Sequence, residues 1–377
     1  MDLGLSESQQ MLKNSAREML ERECPTSFVR AMEEDAKGYT PELWKKIADL
    51  GWLGLPFPEE HGGLGLSYLD LTMLLEEMGR VLFPGAFLSS VLLGGLTVLT
   101  AGSASQKKET LPGIAQGDTT ATLALMEPSA EYGPGAIRAT ASLKGSSYVL
   151  NGTKLFVPDA QSADLLIVPA RTRETSDPSE GITLFLVDAH TPGIEITPLV
   201  TIAADKQAEV SCTDVSLPAS AVLGHVDGGW PVLSRIIDMA TVGKCSEMLG
   251  GADRVLEMTV DYVKERAQFG RPVGSFQAVQ HHCANMATAV EGSRFVTYQA
   301  AWLLSEELPA TREVAIAKAW VGDAYRQVCA LAHQCHGAIG FTREYDLQLY
   351  TRRAEAAEVS YGDAGHYREV VAQSIGL

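Results

Sequence analysis

The chain has 377 residues, of which 46% are apolar and 20% charged, the composition of a soluble globular protein with about two or three domains. Its formal net charge of −17 argues against nucleic acid as a general partner, because duplex binding requires clustered Lys and Arg. The six cysteines form no C-x-x-C pair, and His281 and His282 lack a carboxylate or cysteine at metal spacing. We therefore predict neither a metal site nor a disulfide framework.

The N-terminal segment is predicted to be helical over residues 5–56. Ser6 and Gln9 have the spacing of an N-cap box, and Thr40 followed by Pro41 indicates a second helix start. The segment contains no apolar core of a signal peptide, so we expect a cytoplasmic protein.

Residues 81–106 carry no charge. A stretch of this length is long enough to cross a membrane as a helix. It contains Pro84, the pair Gly94 and Gly95 and several serines, which favour a buried hairpin or helix pair. We therefore predict no membrane span.

From about residue 118 the pattern changes from helical to strand-like. The strongest hairpin signal places strands at 148–150 and 154–157 around an Asn151-Gly152 turn. Further short strands are predicted at 119–125, 137–141, 163–170, 181–187, 194–198 and 208–215. Regular short strands of this kind are typical of a β-sandwich or barrel.

The last part of the chain returns to helical periodicity in four long segments, at 230–267, 275–307, 310–336 and 345–372. Their length and short connections predict an antiparallel four-helix bundle. The fold class is thus α+β multidomain. Its predicted domains are an all-α domain at 1–117, a β-domain at 118–226 and the C-terminal bundle at 227–377.

The elbow between the first two bundle segments, residues 264–282, is the first candidate site. Its polar turn presents Arg266, Gln268 and Gln277, and Pro272 prevents the first helix from continuing. Such a group of donors suits a phosphate or pyrophosphate, because Arg binds two oxygens with its planar fork. From the residues alone, the charged turn of an ordinary helical hairpin is the commoner explanation.

The glycine turn, residues 334–341, is the second candidate site and ends the third bundle segment. Gly337 and Gly340 can cap the helix and let a ligand approach the backbone. His336 is a candidate acid or base, but a histidine beside a helix C-terminus more often has a structural role.

Five motifs, in the same order along the chain, resemble those of the acyl-CoA dehydrogenase family, and the resemblance covers essentially the whole sequence. They are the loop at 58–65, Glu127-Pro128, the segment 151–154, the elbow motif at 265–272 with Phe276-Gln277, and Gln334-x-x-Gly337-x-x-Gly340-Phe341.

This resemblance implies a protein that binds FAD and introduces an α,β double bond into an acyl-CoA thioester. In the family a carboxylate removes the α-proton while the β-hydrogen leaves as hydride to flavin N5. An electron-transfer flavoprotein is the implied acceptor, and a homo- or hetero-oligomer is implied because the elbow holds FAD across a subunit contact. The implied FAD-binding residues are Glu127, Phe156, Arg266, Gln268, Phe269, Gln277, Gln334, Gly337 and Gly340.

The catalytic base departs from the family pattern. The turn that matches the family's Tyr-Glu-Gly-Thr turn is Ser360-Tyr361-Gly362-Asp363, which lacks the glutamate. Asp363 lies within one or two positions and could supply the carboxylate. It could equally be the N-cap of the last helix.

The second position at which the family places its base is Ala240 in this chain. Glu247 lies two helical turns further on the same face and is the other candidate base. A carboxylate in such apolar surroundings needs a function or a partner, and Lys244 or Arg254 could pair with it instead.

The flavin contact departs as well. Family members have Trp-Ile-Thr or Trp-Ile-Ser where this chain has Phe156-Val157-Pro158. Phe156 can still stack on a flavin, but Pro158 has no N–H to donate. These losses would fit a catalytically degenerate subunit of an α2β2 assembly, of the kind that acts on bulky lipids such as steroid side chains. A flavin monooxygenase of the same architecture is a further alternative.

Overall fold

The computed structural model describes residues 4–377. Over this range the chain forms eleven α-helices: α1 Glu7–Glu23, α2 Thr26–Glu34, α3 Pro41–Asp49, α4 Tyr68–Arg80, α5 Leu96–Ala101, α6 Ala104–Gln116, α7 Trp230–Glu265, α8 Gln277–Ser305, α9 Thr311–His336, α10 Leu347–Val359 and α11 Ala364–Ser374. It forms ten strands: β1 Ala121–Leu123, β2 Thr140–Lys144, β3 Ser147–Pro158, β4 Leu165–Arg171, β5 Ile182–Asp188, β6 Ile194–Leu199, β7 Gln207–Pro218, β8 Val222–Leu223, β9 Ala267–Gln268 and β10 Arg271–Pro272.

The chain divides into two compact units. Unit 1 comprises Met1–Ala31, Ser67–Phe83 and Thr241–Leu377, and unit 2 comprises Met32–Leu66 and Pro84–Ala240. Unit 1 is helical apart from the small β9–β10 hairpin, and unit 2 contains the large sheet with α3, α5 and α6.

Unit 1 begins with the predicted capping box. The Ser6 hydroxyl accepts from the backbone N–H of Gln9, whose side chain accepts from the backbone N–H of Ser6. Both contacts join residues three apart, so the sequence alone specifies where α1 starts.

A buried ionic cluster joins α1, α4 and α8 inside unit 1. The carboxylate of Glu76 is fully buried and lies 2.8 Å from Lys13 Nζ, 2.5 Å from Arg294 Nη1 and 2.6 Å from the Tyr298 hydroxyl, which donates to it. Burial alone would raise the pKa of Glu76, but the two cations outweigh it and hold this pKa below its ordinary value. Removing either cation would leave the buried charge of Glu76 with a single cationic partner.

Helices α4 and α7 approach each other closely, and glycines make this possible. A Cβ on Gly79 would lie 2.0 Å from the carbonyl oxygen of Glu247, and a Cβ on Gly250 would lie 1.8 Å from that of Glu76. Each helix therefore presents a glycine to the backbone of the other, which fixes the position of Glu247 on α7.

The C-terminal bundle differs from the prediction in its last segment. Helices α8 and α9 follow the predicted bounds to within two residues, whereas the segment predicted as one helix at 345–372 forms α10 and α11. The break lies at residues 360–363, where Tyr361 has φ 60° and Gly362 has φ 123°. A continuous helix cannot contain these left-handed conformations.

The sheet of unit 2 is mixed, with strand order β6-β7-β3-β2-β4-β5-β8 and β1 beside β4. Its alternating apolar side chains form one core, which includes Leu150, Val168, Phe185 and Val210. The predicted β-domain is therefore present as one large sheet around a common core, with all eight strands hydrogen-bonded to a neighbour.

The predicted hairpin at Asn151-Gly152 is wrong. Both residues lie inside the continuous strand β3, and β2 pairs with β3 so that Lys144 faces Ser147 across the actual turn. A Cβ on Gly152 would lie 2.6 Å from that of Ala139, so glycine is required there for close packing and not for a turn. Asn151 instead bonds through its side-chain oxygen to the backbone N–H of Asp214.

The central part of the uncharged stretch is buried and helical, as predicted. Residues Leu88–Gly95 form a π-helix that continues into α5, and every residue of Leu88–Gly95 is buried. Within residues 4–377, no helix is long and apolar enough to cross a membrane.

Candidate active site

The elbow is an exposed hairpin in unit 1. Helix α7 ends at Glu265, strands β9 and β10 pair with Gln268 facing Arg271, and α8 starts at Gln277. Phe269 and Gly270 form the tip with φ values of 55° and 79°, and Phe269 is 93% exposed. The side chains predicted to bind phosphate, Arg266, Gln268 and Gln277, belong to exposed residues.

The glycine turn lies beside the elbow within unit 1. The Tyr262 ring near the end of α7 stacks on the His336 ring at 4.3 Å, and the Tyr262 hydroxyl donates to the His336 carbonyl at 3.3 Å. Gly337 has φ 68° and open space where a Cβ would be, so a ligand can approach its backbone. Gln334 is exposed on the last turn of α9, and Gly340 is buried.

His336 has a structural setting. Its Nδ1 lies 2.8 Å from the carbonyl of Ala332, and its ring is packed between those of Tyr262 and Tyr345. Burial lowers the pKa of His336, which favours the neutral ring. This environment agrees with the structural interpretation of the residue.

Phe156 lies in unit 2, on a bulge of β3. The pairing of β3 with β7 shifts register between Lys154 and Val157, and Phe156 takes φ 52° with 54% of its surface exposed. A bulge re-aims a side chain out of the strand's alternation, so the ring faces outward and is available to stack. Pro158 offers no donor, and its carbonyl already accepts from the Thr122 hydroxyl at 2.7 Å.

The side chain of Glu127, which is predicted to bind FAD, lies inside unit 2. It is buried, with Lys154 Nζ at 2.7 Å, and it accepts from the backbone N–H groups of Arg138 and Ala139. Its two oxygens are thus used inside unit 2, where they fix the segment 127–139 against β3. Burial lowers the pKa of Lys154, and Glu127 opposes this shift.

Glu247 pairs with Lys244, as the structural alternative predicted. The Lys244 Nζ lies 2.5 Å from Glu247 Oε2, and the glutamate side chain is 26% exposed. The carboxylate is therefore held one turn from its partner on α7 but remains partly accessible.

Asp363 is the N-cap of α11, again the structural alternative. Its side chain accepts from the backbone N–H of His366 at 2.7 Å. The residue is partly exposed, and its capping bond accounts for an acidic residue at this position.

Two groups near these helices were missed by the sequence analysis. Asp238 on α7 is partly buried, and burial raises its pKa from 3.8 to about 6. Lys318 on α9 is completely buried. The spacing of Val314, Lys318, Val321 and Tyr325 places this lysine on the apolar stripe of its helix, which is the signal that could have identified it.

Comparison with known proteins supplies the family. Three domain models match in chain order: acyl-CoA dehydrogenase N-terminal domain at 6–118, middle domain at 122–215 and C-terminal domain at 227–376. The chain belongs to the acyl-CoA dehydrogenase family. It is an oxidoreductase of this FAD-dependent family, so FAD is its cofactor.

The similarity extends over at least 90% of the length of two relatives. The acryloyl-CoA reductase (NADH) of Anaerotignum propionicum is 32% identical, over 100% of this chain and 96% of the relative. The mitochondrial short-chain specific acyl-CoA dehydrogenase of Mus musculus is 32% identical, over 98% of this chain and 90% of the relative.

Solved structures agree with this assignment. Butyryl-CoA dehydrogenase from Megasphaera elsdenii superposes with a TM-score of 0.91 at 28% identity, over 100% of both chains. A chain of the ChsE4-ChsE5 complex from Mycobacterium tuberculosis gives 0.91 at 28% identity, over 100% of this chain and 99% of that one. A chain from the structure on the electron transferring flavoprotein of Acidaminococcus fermentans gives 0.92 at 32% identity, over 100% of both.

Unit 1 offers the chemistry that a flavin dinucleotide requires. Exposed guanidinium and amide donors lie at the elbow, and an open glycine backbone lies beside them at Gly337. In unit 2 the exposed Phe156 ring suits a flavin face, whereas Pro158 supplies no hydrogen-bond donor.

Proposed function

We propose that this chain takes part in the FAD-dependent α,β-dehydrogenation of an acyl-CoA thioester. The observation that carries the proposal is the exposed elbow beside the open glycine turn in unit 1, in a chain that belongs to this family. When bound, FAD supplies the acceptor for the β-hydride. An electron-transfer flavoprotein is the proposed next acceptor of the electrons.

The chain's own residues have distinct tasks in this proposal. Arg266 and Gln277 bind the diphosphate and neighbouring groups of FAD, with Gln334 and the Gly337 backbone beside them. Phe156 packs against the flavin ring. As the family resemblance implies, the elbow holds FAD across a subunit contact in this proposal. The active protein is therefore an oligomer.

We propose Glu247 as the base that removes the α-proton. Its carboxylate is partly accessible and is held on α7 by Lys244, while its backbone is fixed by the close approach of Gly79. A positioned general base must lie within reach of the proton it removes, and such fixing limits the freedom of the side chain. Asp363 has a capping role that explains it without catalysis.

Paired variants test this assignment. Glu247→Gln should lower kcat by at least about 10²-fold, the typical effect of losing a general base. Asp363→Asn should retain kcat, because asparagine caps a helix as well as aspartate does. Steady-state turnover of an acyl-CoA panel with an artificial electron acceptor measures both, and a Glu247→Gln enzyme with wild-type kcat would remove Glu247 from the mechanism.

A second candidate function follows from two observations. Glu247 and Asp363 both have structural partners, and Pro158 has no N–H to donate to a flavin. The chain could be the degenerate subunit of a hetero-oligomeric acyl-CoA dehydrogenase, lending its elbow to a flavin held by a related partner chain. The chain is similar to a chain of the ChsE4-ChsE5 complex, which has two components. This similarity supports the second candidate.

The visible spectrum separates the two functions. The chain produced alone with excess FAD should be yellow and should bleach anaerobically with an acyl-CoA if it dehydrogenates by itself. A colourless chain that gains FAD only after mixing with a related acyl-CoA dehydrogenase subunit would favour the second candidate.

A further inference from the structure

Two of the six cysteines, Cys283 and Cys335, differ from the others because they are partly exposed. The other four are buried, namely Cys24, Cys212, Cys245 and Cys329. A buried single cysteine packs as a small apolar side chain and is chemically inert. A partly exposed thiol can meet a dissolved reagent, so packing alone does not account for Cys283 and Cys335.

Cys283 and Cys335 are also in contact with each other. Both lie in unit 1, and their side chains are within hydrogen-bonding distance. Cys283 is in the second turn of α8, and Cys335 is the last residue but one of α9, which packs against α8. A disulfide places its sulfur atoms about 2.05 Å apart, so bond formation needs only a small approach of side chains that already touch.

The surroundings of the two thiols set which one reacts first. Burial raises the pKa of both thiols, that of Cys335 to about 11. Their contact opposes the rise in the pKa of Cys283 and adds to the rise in the pKa of Cys335. Cys283 therefore ionises first, and the thiolate is the form that attacks an oxidant. Because thiolate is scarce at neutral pH, the pair persists as two thiols until an oxidant reaches it.

We propose that Cys283 and Cys335 form a redox site, at which hydrogen peroxide converts the two thiols into a disulfide between α8 and α9. The Cys283 thiolate attacks one peroxide oxygen, the O–O bond breaks, and hydroxide leaves and takes up the proton that Cys283 released. The product is a sulfenic acid on Cys283. The Cys335 sulfur then attacks the Cys283 sulfur, the S–O bond breaks, and the departing hydroxide leaves as water with the proton of Cys335. The two thiols lose two electrons, and the peroxide gains them as it becomes two waters.

The position of this disulfide connects it with the cofactor, a consequence that rests on the proposed function. Cys335 stands between Gln334 and His336 in the glycine turn, and Cys283 is on the helix that begins with Gln277 at the elbow. A covalent bond here limits the separation of the two segments that we assign to FAD. Because a constrained site loses less freedom when its ligand binds, the oxidised chain should bind FAD more tightly.

Thiol counting and peptide mass spectrometry test the disulfide in the full-length, FAD-loaded chain. After treatment with H2O2 and removal of the peroxide by catalase, the denatured chain should show four thiols instead of six, and its digest should contain a Cys283–Cys335 cross-linked peptide. Dithiothreitol should restore all six thiols. Cys283→Ser should form no disulfide within the chain. The control Cys24→Ala removes a buried cysteine of the same unit and should still lose two thiols.

Three results contradict the redox site. The treated chain could keep all six thiols. The disulfide could instead join two chains, which would double the mass on a non-reducing gel. Sulfinic acid on either cysteine without the cross-linked peptide would show that the two sulfur atoms do not meet.

Dilution of the FAD-loaded chain, followed by FAD fluorescence, measures the effect on the cofactor. The oxidised chain should bind FAD at least about fivefold more tightly than the reduced chain, the lower end of typical coupling between two sites. Cys283→Ser should bind FAD equally before and after peroxide treatment. Gln334→Ala in the reduced chain measures the contribution of the glycine turn by itself and should weaken FAD binding.

The two FAD measurements separate the coupling from the proposed function. If oxidation leaves the affinity unchanged while Gln334→Ala weakens it, the coupling is wrong and the proposed function stands. If neither change affects the affinity, the glycine turn does not bind FAD, so that part of the proposed function fails first and the coupling fails with it. The thiol count decides the disulfide independently of both.

Discussion

The role and the pKa of a carboxylate in this chain depend on its immediate surroundings more than on its place in a motif. Glu127 lies in a family-like motif, yet its oxygens are used by Lys154 and by two backbone N–H groups. Asp363 was a candidate base and caps α11. Asp238 lies in no motif, and burial alone, without a charged partner among the described residues, raises its pKa.

We predict that Asp238→Asn stabilises the protein at high pH only. The pKa of Asp238 rises from 3.8 unfolded to about 6 folded, so the folded state binds the proton more tightly. The stability this provides is complete below pH 3.8 and is lost as pH rises through 6. A neutral asparagine avoids that loss and should gain up to about 3 kcal/mol at pH 8, with no gain near pH 4.

Urea unfolding at both pH values measures this effect. Asp261→Asn on the same helix is the control, because the Asp261 side chain is 71% exposed and its replacement should be neutral at both pH values. An equal gain from Asp238→Asn at pH 4 and pH 8 would show that the ionisation of Asp238 is not the cause.

At the scale of helices and strands, close packing of backbones sets where glycine is required. Gly79 on α4 and Gly250 on α7 each leave no room for a Cβ against the other helix, whereas a Cβ on Gly322 of α9 would make an ordinary contact of 3.5 Å with Glu358.

We therefore predict opposite signs for two Gly→Ala changes in helix interiors. Gly79→Ala should destabilise the protein by about 1–3 kcal/mol, because the added methyl forces α4 away from α7. Gly322→Ala should stabilise by up to about 1 kcal/mol, because alanine favours the helix and meets no close neighbour. Urea unfolding of both variants gives the comparison, and a neutral Gly79→Ala would mean that the two helices can separate freely.

The elements that the sequence predicted correctly depend on local contacts. The N-cap of α1 and the Thr40-Pro41 start of α3 each involve residues at most three apart, so the pattern contains all the necessary information. The Asn151-Gly152 hairpin failed because β3 continues through both residues, in pairing with the distant strand β7. The break between α10 and α11 depends on bonds from Lys318, which are equally non-local.

The features of the candidate site also divide into those that depend on local sequence and those that depend on distant contacts. The elbow donors and the glycine turn could be identified because each is a contiguous motif, although their role in binding FAD stays a prediction. The anchoring of the 360–363 turn through the Gly362 carbonyl could not be identified, because its donor, Lys318, lies on another helix. Lys318 was still detectable as a charge on an apolar stripe, without any indication of what it binds.

The whole molecule carries a strongly negative net charge, and the elbow with its guanidinium and amide donors is a local exception to it. A chain of net charge −17 has no general attraction for an anionic dinucleotide, so affinity must come from positioned donors such as Arg266. FAD that binds only the folded state should raise its stability by about 2.7 kcal/mol at a hundred times Kd.

We predict that Arg266→Ala abolishes most of this FAD-dependent rise in the thermal midpoint, since it removes a bidentate donor for phosphate. Arg271→Ala is the control of equal charge change: Arg271 lies on the same elbow, but its guanidinium sits 4.1 Å from the centre of the Phe276 ring. Loss of the rise in both variants would mean that FAD responds to the positive charge of the elbow in general. Loss in Arg266→Ala alone would mean that an acidic protein binds its anionic cofactor through the placement of one guanidinium. Salt screens charges that lie far apart, so this short contact stays effective at physiological salt.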